Sequence, residues 1–364
     1  MKTRFNYVLF FTLVSILFIS CDTKKNAIGN SDEIFVIADT TEYYQLEPVL
    51  AETFEKIIYT PQPENVFSIK RSSFENLQKF KRRKNIIIIA PMNSESQTSK
   101  YIRKNLDKNV KKLVEADSVF VFNKYDLWAK DQIVMFLTSP SIEKLKNNIL
   151  LNKENLLYYF QKMSNNRLSQ SLYNEVYEKK VVEAKLLKNY AWTIYVQADF
   201  LLAKESKKDN FVWLRRAVNS DMERWIFIRW IENATPDMLN YDSLYNWRNR
   251  TTEKFYRTSD EKTFVKISEA PFKPNLSEVN FNKKYSLFMQ GFWKFQDNSG
   301  GGPFLNYSFF DPKSKRLYMI DGSIYAPKYF KKNLIQQVDV LLQSFMLKSE
   351  MSKERIEDLM DELD

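Results

Sequence analysis

Backbone freedom is concentrated in one stretch of this chain, and that stretch limits the topologies open to it. Of six glycines, Gly291, Gly300, Gly301, Gly302 and Gly322 fall close together and only Gly29 lies elsewhere. Glycine supplies turn geometries and close backbone approach that other residues resist. The flanking runs therefore read as a strand over 285–295, a loop over 296–302, a strand over 304–310, a turn at Asp311-Pro312-Lys313-Ser314 and a strand over 316–320. This is a three-stranded meander. Tyr329–Leu347 follows as a helix, with Leu334, Val338, Leu341, Leu342 and Phe345 on one stripe.

Upstream, strands and helices alternate. Ile34–Ile37 is strand-like, and Asp39-Thr40-Thr41 then opens an amphipathic helix whose apolar positions are Leu46, Val49, Leu50, Phe54, Ile57 and Ile58, stopped by Pro61 and Pro63. Val66–Lys70 alternates as a second strand. Ile86–Ile89 is a run of four isoleucines that fits only a buried central strand. A charged helical stretch (Ser99–Glu115), strands at Val119–Phe122 and Ile133–Leu137, and a helix opening at Ser141 complete the first half. The second half has strand-like runs at Trp192–Val196, Phe211–Arg215 and Arg224–Trp230, the last apolar on both faces, and a helix over Pro236–Phe255 with Arg248 among its polar positions. The fold class expected is α+β, in two sequential halves (32–175 and 176–347), each a mostly antiparallel sheet packed with helices. Residues 348–364, with seven acids against three bases, form an acidic helical tail that reads as a fraying extension more readily than as a docking peptide.

The first twenty residues have a different grammar. Lys2 and Arg4 precede an apolar run from Tyr7 to Ile19, and Ser20 stands directly before Cys21, the only cysteine. The run is shorter than the ~20 residues that span a bilayer, so residues 1–20 read as a cleaved lipoprotein signal and Cys21 as the lipidation site. Residues 21–31 then form a polar, flexible tether. Loss of Lys2 and Arg4 from the 55 basic residues leaves 53 against 45 acidic ones. This mild, dispersed excess suits anionic envelope surfaces, and an exported protein meets no nucleic acid.

Composition excludes several chemistries. The chain has no histidine, which removes Ser-His-Asp and Cys-His catalysis and imidazole metal sites; with its one cysteine acylated it has no thiol nucleophile and no disulfide. No catalytic residue, metal site or cofactor is assigned. Abundant aromatics (28 Phe, 20 Tyr, 7 Trp) read as core filling. The densest basic cluster, Lys79, Lys81, Arg82, Arg83 and Lys84, is either a contact for anions or a partner, or a solvated turn. The loop Asn298, Ser299, Gly300, Gly301 and Gly302 is followed by Pro303 and a strand, so it lacks the helix a phosphate cradle requires and reads as a hairpin loop available to a partner. Asp297, Asp311 and Asp321 are the acids a carboxylate hydrolase would draw on. Asp39-Thr40-Thr41, Asp117-Ser118-Val119 and Asp242-Ser243-Leu244 fit a short O-glycosylation pattern and equally fit turns and caps.

The Cys21 signal, Phe211-Val212-Trp213-Leu214-Arg215, Gly291-Phe292-Trp293, Gly302-Pro303-Phe304 and Tyr325-Ala326-Pro327-Lys328 together resemble the Bacteroidota lipoprotein family catalogued as domain of unknown function 4837, over nearly the whole mature chain. Two departures are Gln290 before Gly291-Phe292-Trp293 and Lys84 before Asn85-Ile86, where the family tends to carry arginine. The resemblance implies a bacterial envelope lipoprotein and transfers no catalytic residue. The expected function is a non-enzymatic accessory or scaffold of an envelope protein complex, held by lipid on the periplasmic face of the outer membrane. Alternatives are a binder of an anionic polymer such as peptidoglycan or lipopolysaccharide, and a carboxylate-based hydrolase.

Overall fold

A computed structural model describes residues 24–258 and 260–363. Of these, residues 24–56 with Phe67–Ser164 form one compact unit, and Ile57–Val66 with residues 165–258 and 260–363 form a second. In chain order the elements are β1 (Glu33–Ile37), α1 (Thr40–Phe54), β2 (Ile57–Tyr59), β3 (Pro63–Asn65), β4 (Ser68–Ser72), α2 (Leu77–Phe80), β5 (Asn85–Ile89), α3 (Gln97–Asn105), α4 (Lys108–Glu115), β6 (Val121–Tyr125), β7 (Ile133–Leu137), α5 (Ile142–Leu151) and α6 (Lys153–Leu172). There follow α7 (Lys180–Tyr190), β8 (Trp192–Thr193), β9 (Phe200–Ser206), β10 (Phe211–Arg216), β11 (Glu223–Ile231), α8 (Tyr241–Phe255), β12 (Val265–Ser268), β13 (Asn275–Phe281), β14 (Lys284–Phe295), β15 (Gly301–Asp311), β16 (Arg316–Tyr325), α9 (Lys332–Leu342), β17 (Met346–Leu347) and α10 (Lys353–Met360). The α+β class is as expected.

The first unit is built on the sheet β4-β1-β5-β7-β6. Its pairs β1/β4, β1/β5 and β5/β7 are parallel, and only β6/β7 is antiparallel, which corrects the expectation of a mostly antiparallel sheet here. The reason is connection length. Parallel strands need crossovers of a dozen or more residues, and α1 is such a crossover between β1 and β4. Ile86 and Ile88 join a core with Ile37, Ile102, Val134 and Phe136, while Ile87 and Ile89 are equally buried towards the other face. A second correction concerns Ile57 and Ile58. They continue the helical spacing of Phe54, but α1 stops at Phe54 and they enter the β2/β3 hairpin of the second unit.

The second unit is a wholly antiparallel sheet, β12-β14-β15-β16-β11-β10-β9, with β13 also paired to β14. The meander β14-β15-β16 is as expected, and a helix follows it, but α9 is shorter than the expected 329–347: it ends at Leu342, and Met346-Leu347 pair as β17 with β8. Ile226, Ile228, Phe309 and Ile320 face Leu334, Val338 and Leu341 of α9; Trp225, Phe227, Met289, Trp293 and Met319 face Leu244, Trp247 and Phe255 of α8. Each fully buried side chain of this size contributes ~1.5–3 kcal/mol. Gly322 explains how closely α9 lies on β16: a Cβ there would stand 2.2 Å from Val338 Cγ1. The start of α9 is capped from a distance, because the Glu64 carboxylate of β3 accepts hydrogen bonds from the amides of Lys331 (2.8 Å) and Lys332 (3.1 Å).

Residues 348–363 dock instead of fraying. Leu359 of α10 is fully buried against Ala184 and Leu187 of α7. Arg355 donates to Glu178 and, at 2.9 Å, to Glu183, and Lys180 pairs with Asp358 at 2.6 Å. Glu183 also accepts from the Val196 amide (2.7 Å). Burial pushes its carboxyl up to about 8, against the Val196 amide and Arg355 and with help from the charge of Glu178.

Candidate functional site

Cys21 lies outside the described residues. The segment after it is bound from Lys25 on, which corrects the reading of a flexible tether. Lys130 N donates to Lys25 O (3.0 Å), Ala27 N to Lys130 O (2.8 Å), Ile28 N to Arg82 O (2.7 Å) and Lys84 N to Ile28 O (3.2 Å). Gly29 then turns the chain with φ +97°, a left-handed value that suits glycine alone among common residues. Side chains extend the attachment: Lys84 Nζ donates to Ser31 Oγ (3.0 Å), and Asn85 Nδ2 donates to the carbonyls of Ser31 and Glu33 (both 2.9 Å).

The basic cluster sits on this same corner, and its members have separate tasks. Arg82 donates to Asn26 O (3.0 Å) while remaining exposed. The Arg83 guanidinium lies over the rings of Phe35 (4.7 Å) and Phe80 (5.8 Å), and Lys81 Nζ over Trp128 (5.4 Å). Lys79 is exposed and lies beside the Phe80 ring at 5.7 Å. Gln132 of β7's leading edge fixes the turn by donating to the carbonyls of Lys81 (2.6 Å) and Arg83 (2.7 Å). The cluster is thus a fastening for residues 25–31 with an exposed cationic rim.

In the second unit, the glycine loop is the tip of the β14/β15 hairpin. Phe295 N donates to Gly300 O (2.9 Å), Ser299 N to Asp297 Oδ1 (3.0 Å), and Lys294 Nζ to Asn298 Oδ1 (2.9 Å), leaving Asn298 and Ser299 exposed. Gly301 and Gly302 are already strand residues; a Cβ on Gly302 would stand 2.0 Å from Ile324 O. The three acids singled out for hydrolysis are each engaged elsewhere. Asp297 holds its loop, and the Ser299 amide keeps its carboxyl below the usual range. Asp311 accepts from Ser314 N (3.0 Å) and Ser314 Oγ (2.5 Å). It lines a surface cleft of about 470 Å³ with Glu350, whose carboxylate pairs with Lys284 at 2.6 Å and accepts from Leu347 N at 3.0 Å.

Asp321 belongs to a polar node that sequence reading missed. Arg248 donates through Nε to Asp321 Oδ2 (2.7 Å) and through Nη2 to Asp321 Oδ1 (3.2 Å) and Ser323 Oγ (3.1 Å). Asn306 Nδ2 donates to Asp321 Oδ2 (3.0 Å), and Ser308 Oγ to Asn306 Oδ1 (2.9 Å). Arg248 and Asp321 are both 0% exposed, and the guanidinium stacks on Phe304 at 3.6 Å. Nearby, the buried Tyr256 hydroxyl and Arg248 Nη1 make no hydrogen bond among the described residues, and burial raises the Tyr256 pKa well above its ordinary value. The available signal was periodicity: Leu244, Trp247, Arg248, Thr251, Thr252 and Phe255 form one buried stripe of α8, so Arg248 sits on the core face and not, as expected, on the polar one.

The O-glycosylation-like triplets fall at caps and turns. Asp39 accepts from Thr41 N (3.0 Å) at the start of α1, Asp117 accepts from Asn148 Nδ2 (2.8 Å), and Ser243 lies in the first turn of α8, capped by Asn240. Among the described residues no helix is long and apolar enough to cross a membrane, and no group of three or more metal-ligating side chains occurs.

Residues 178–344 match the family model described as Domain of unknown function (DUF4837), and residues 27–173 match a second, Domain of unknown function (DUF8532). The first covers less of the chain than the resemblance implied, and the two matches meet near the division between the units. No curated protein matches the chain. The solved structure of the Saccharomyces cerevisiae Ran-binding protein Mog1p matches at 11% identity, covering 44% of this chain and 94% of that one, with a TM-score of 0.26, a score from which no shared architecture follows.

Proposed function

We propose that this protein is a bacterial envelope lipoprotein of the Bacteroidota, anchored by diacylglycerol on Cys21 at the periplasmic face of the outer membrane, and that it serves an envelope protein complex as a non-enzymatic accessory. The observation that carries this reading is the fastening of Lys25–Ile28 to Lys130 and Arg82. Lys25 lies only four residue steps beyond Cys21. At ~3.5 Å per step this span is at most about 14 Å, so an anchored chain keeps its first unit close to the bilayer surface. Two or more acyl chains, at ~0.8 kcal/mol per buried methylene, give a stable hold. The commitment of Asp297, Asp311 and Asp321 to turns and to Arg248 supports a binding role over hydrolysis. The exposed tip at Asn298 and Ser299 offers a contact on a rigid hairpin.

The anchor is tested by metabolic labelling with a fatty-acid analogue. Wild type incorporates the label and fractionates with membranes; Cys21→Ala loses both properties, and continued labelling of the variant overturns the assignment. The accessory role is tested by crosslinking in the native membrane. A reproducible envelope partner, lost when Asn298 and Ser299 are replaced by lysine, supports it; no reproducible partner counts against it.

A further inference from the structure

We infer that the corner of the first unit where the chain enters is a membrane-facing cationic surface that takes the phosphate-bearing headgroups of anionic lipids. This rests on the anchored reading for its geometry. Lys24, Lys25, Lys79, Arg82 and Lys130 are all exposed, and Lys81 is half-buried over Trp128. The fold gathers them from three separate stretches: Lys25 and Lys130 are joined by backbone hydrogen bonds, Ile28 bonds to Arg82 O, and Gln132 ties Lys81 to the same turn. Two carboxylates share the loop, namely Asp126, whose Oδ1 accepts from Gln132 N at 3.2 Å, and the half-buried Asp131. Cations therefore dominate the rim.

Three features favour a lipid surface over a polysaccharide. Chain length holds this corner within about 14 Å of the anchored residue, so the nearest extended anionic surface is the headgroup layer. The screening length is ~8 Å at physiological ionic strength, so these cations act where the short link, at most about 14 Å, lets the corner settle onto the headgroups. Ile28, 48% exposed in the middle of the cationic rim, presents an apolar side chain where an interfacial site would bury one and a soluble glycan would not.

The test uses the mature polypeptide with Cys21→Ser, so that no acyl chain contributes, in flotation with vesicles of phosphatidylcholine alone or enriched in phosphatidylglycerol. The expected result is flotation only with the anionic vesicles, reversed by high salt. A Lys81→Gln/Arg82→Gln/Lys130→Gln variant with unchanged circular dichroism partitions roughly 100-fold more weakly, since each cation near the surface is worth about 5-fold. Equal partition of the variant, flotation indifferent to lipid charge, or binding only to purified sacculi overturns the inference. Because the probe lacks lipid, its result is independent of the anchor. Acyl labelling at Cys21 without headgroup-dependent flotation would defeat the cationic surface alone, and headgroup-dependent flotation without labelling would defeat the anchor alone.

Discussion

The central strand β5 is buried throughout and β16 in all but its two end residues, yet β5 presents four isoleucines to the layers on its two faces while β16 places Asp321, Gly322 and Ser323 at its middle. In the first unit hydrophobic burial dominates the centre, and the polar anchor of β5 sits at its start, where Asn85 donates to Ser31 O and Glu33 O. In the second, Asp321 stands opposite Asn306 on β15 and meets Arg248 from α8, so a slip of two residues along the strand leaves charges buried without partners. An apolar centre supplies stability; a satisfied polar centre adds a condition that only one arrangement meets.

Replacing one partner of the buried pair has the largest expected effect. Arg248→Ala or Asp321→Ala leaves an uncompensated charge and costs ~3–5 kcal/mol. Six of the seven tryptophans lie in the second unit and only Trp128 in the first, so urea unfolding followed by tryptophan fluorescence reads this loss directly. Ile88→Ala, the matching cut in the first unit, costs ~2–5 kcal/mol through its cavity, followed by hydrogen exchange of β5 amides. The two sites separate on repair. Arg248→Met with Asp321→Leu recovers most of the lost stability, because no charge is then left buried. A double variant as unstable as the single ones would show that the pair acts through its fit to Asn306 and Ser323.

Gly322→Ala comes next, at ~1–3 kcal/mol, because the added Cβ meets Val338. Val338→Ala in the same chain relieves it, and an unrelieved loss in thermal unfolding would place the strain elsewhere. The smallest effect is local. The Glu183 pKa of about 8 is raised above the ordinary carboxyl value, so the native state binds this proton more tightly than the unfolded one. Its contribution is full below the unfolded pKa, near 4.5, and declines as pH rises through about 8. Amide exchange in α10, corrected for intrinsic rate, should therefore quicken ~10-fold between about pH 7 and pH 9. Glu183→Gln should flatten that dependence; an unchanged profile in this variant would assign the titration to another group.

Elements were legible wherever one periodicity prevailed. Ile86–Ile89 announces a buried strand, the clustered glycines announce the meander, and Ser141 announces a helix start, capping Lys144 N in the fold. Strand direction was not legible, since the same isoleucines suit parallel and antiparallel neighbours. Ile57 and Ile58 misled because i+3 and i+4 spacing from Phe54 mimics a helix that has already ended. At the candidate corner, the run Lys79–Lys84 was visible as charge. Its joining with Lys24, Lys25 and Lys130 depends on backbone hydrogen bonds between distant stretches, and no local pattern encodes those. Arg248 was read by its charge when its position in the stripe of Leu244 and Phe255 was the better guide.

The Glu64 cap has a consequence for how the molecule can be divided. Its partner amide lies 267 residues further on, and the ten-residue insert that carries it is embedded in the sequence of the other unit. No single cut therefore yields the second unit entire: a fragment matching the 178–344 boundaries begins with the α9 amino terminus stripped of its acceptor. Chain emergence is affected in the same way. At ~5–20 residues per second the hairpin precedes Lys331 by roughly 10 to 50 s, an interval in which Glu64 has no amide to cap.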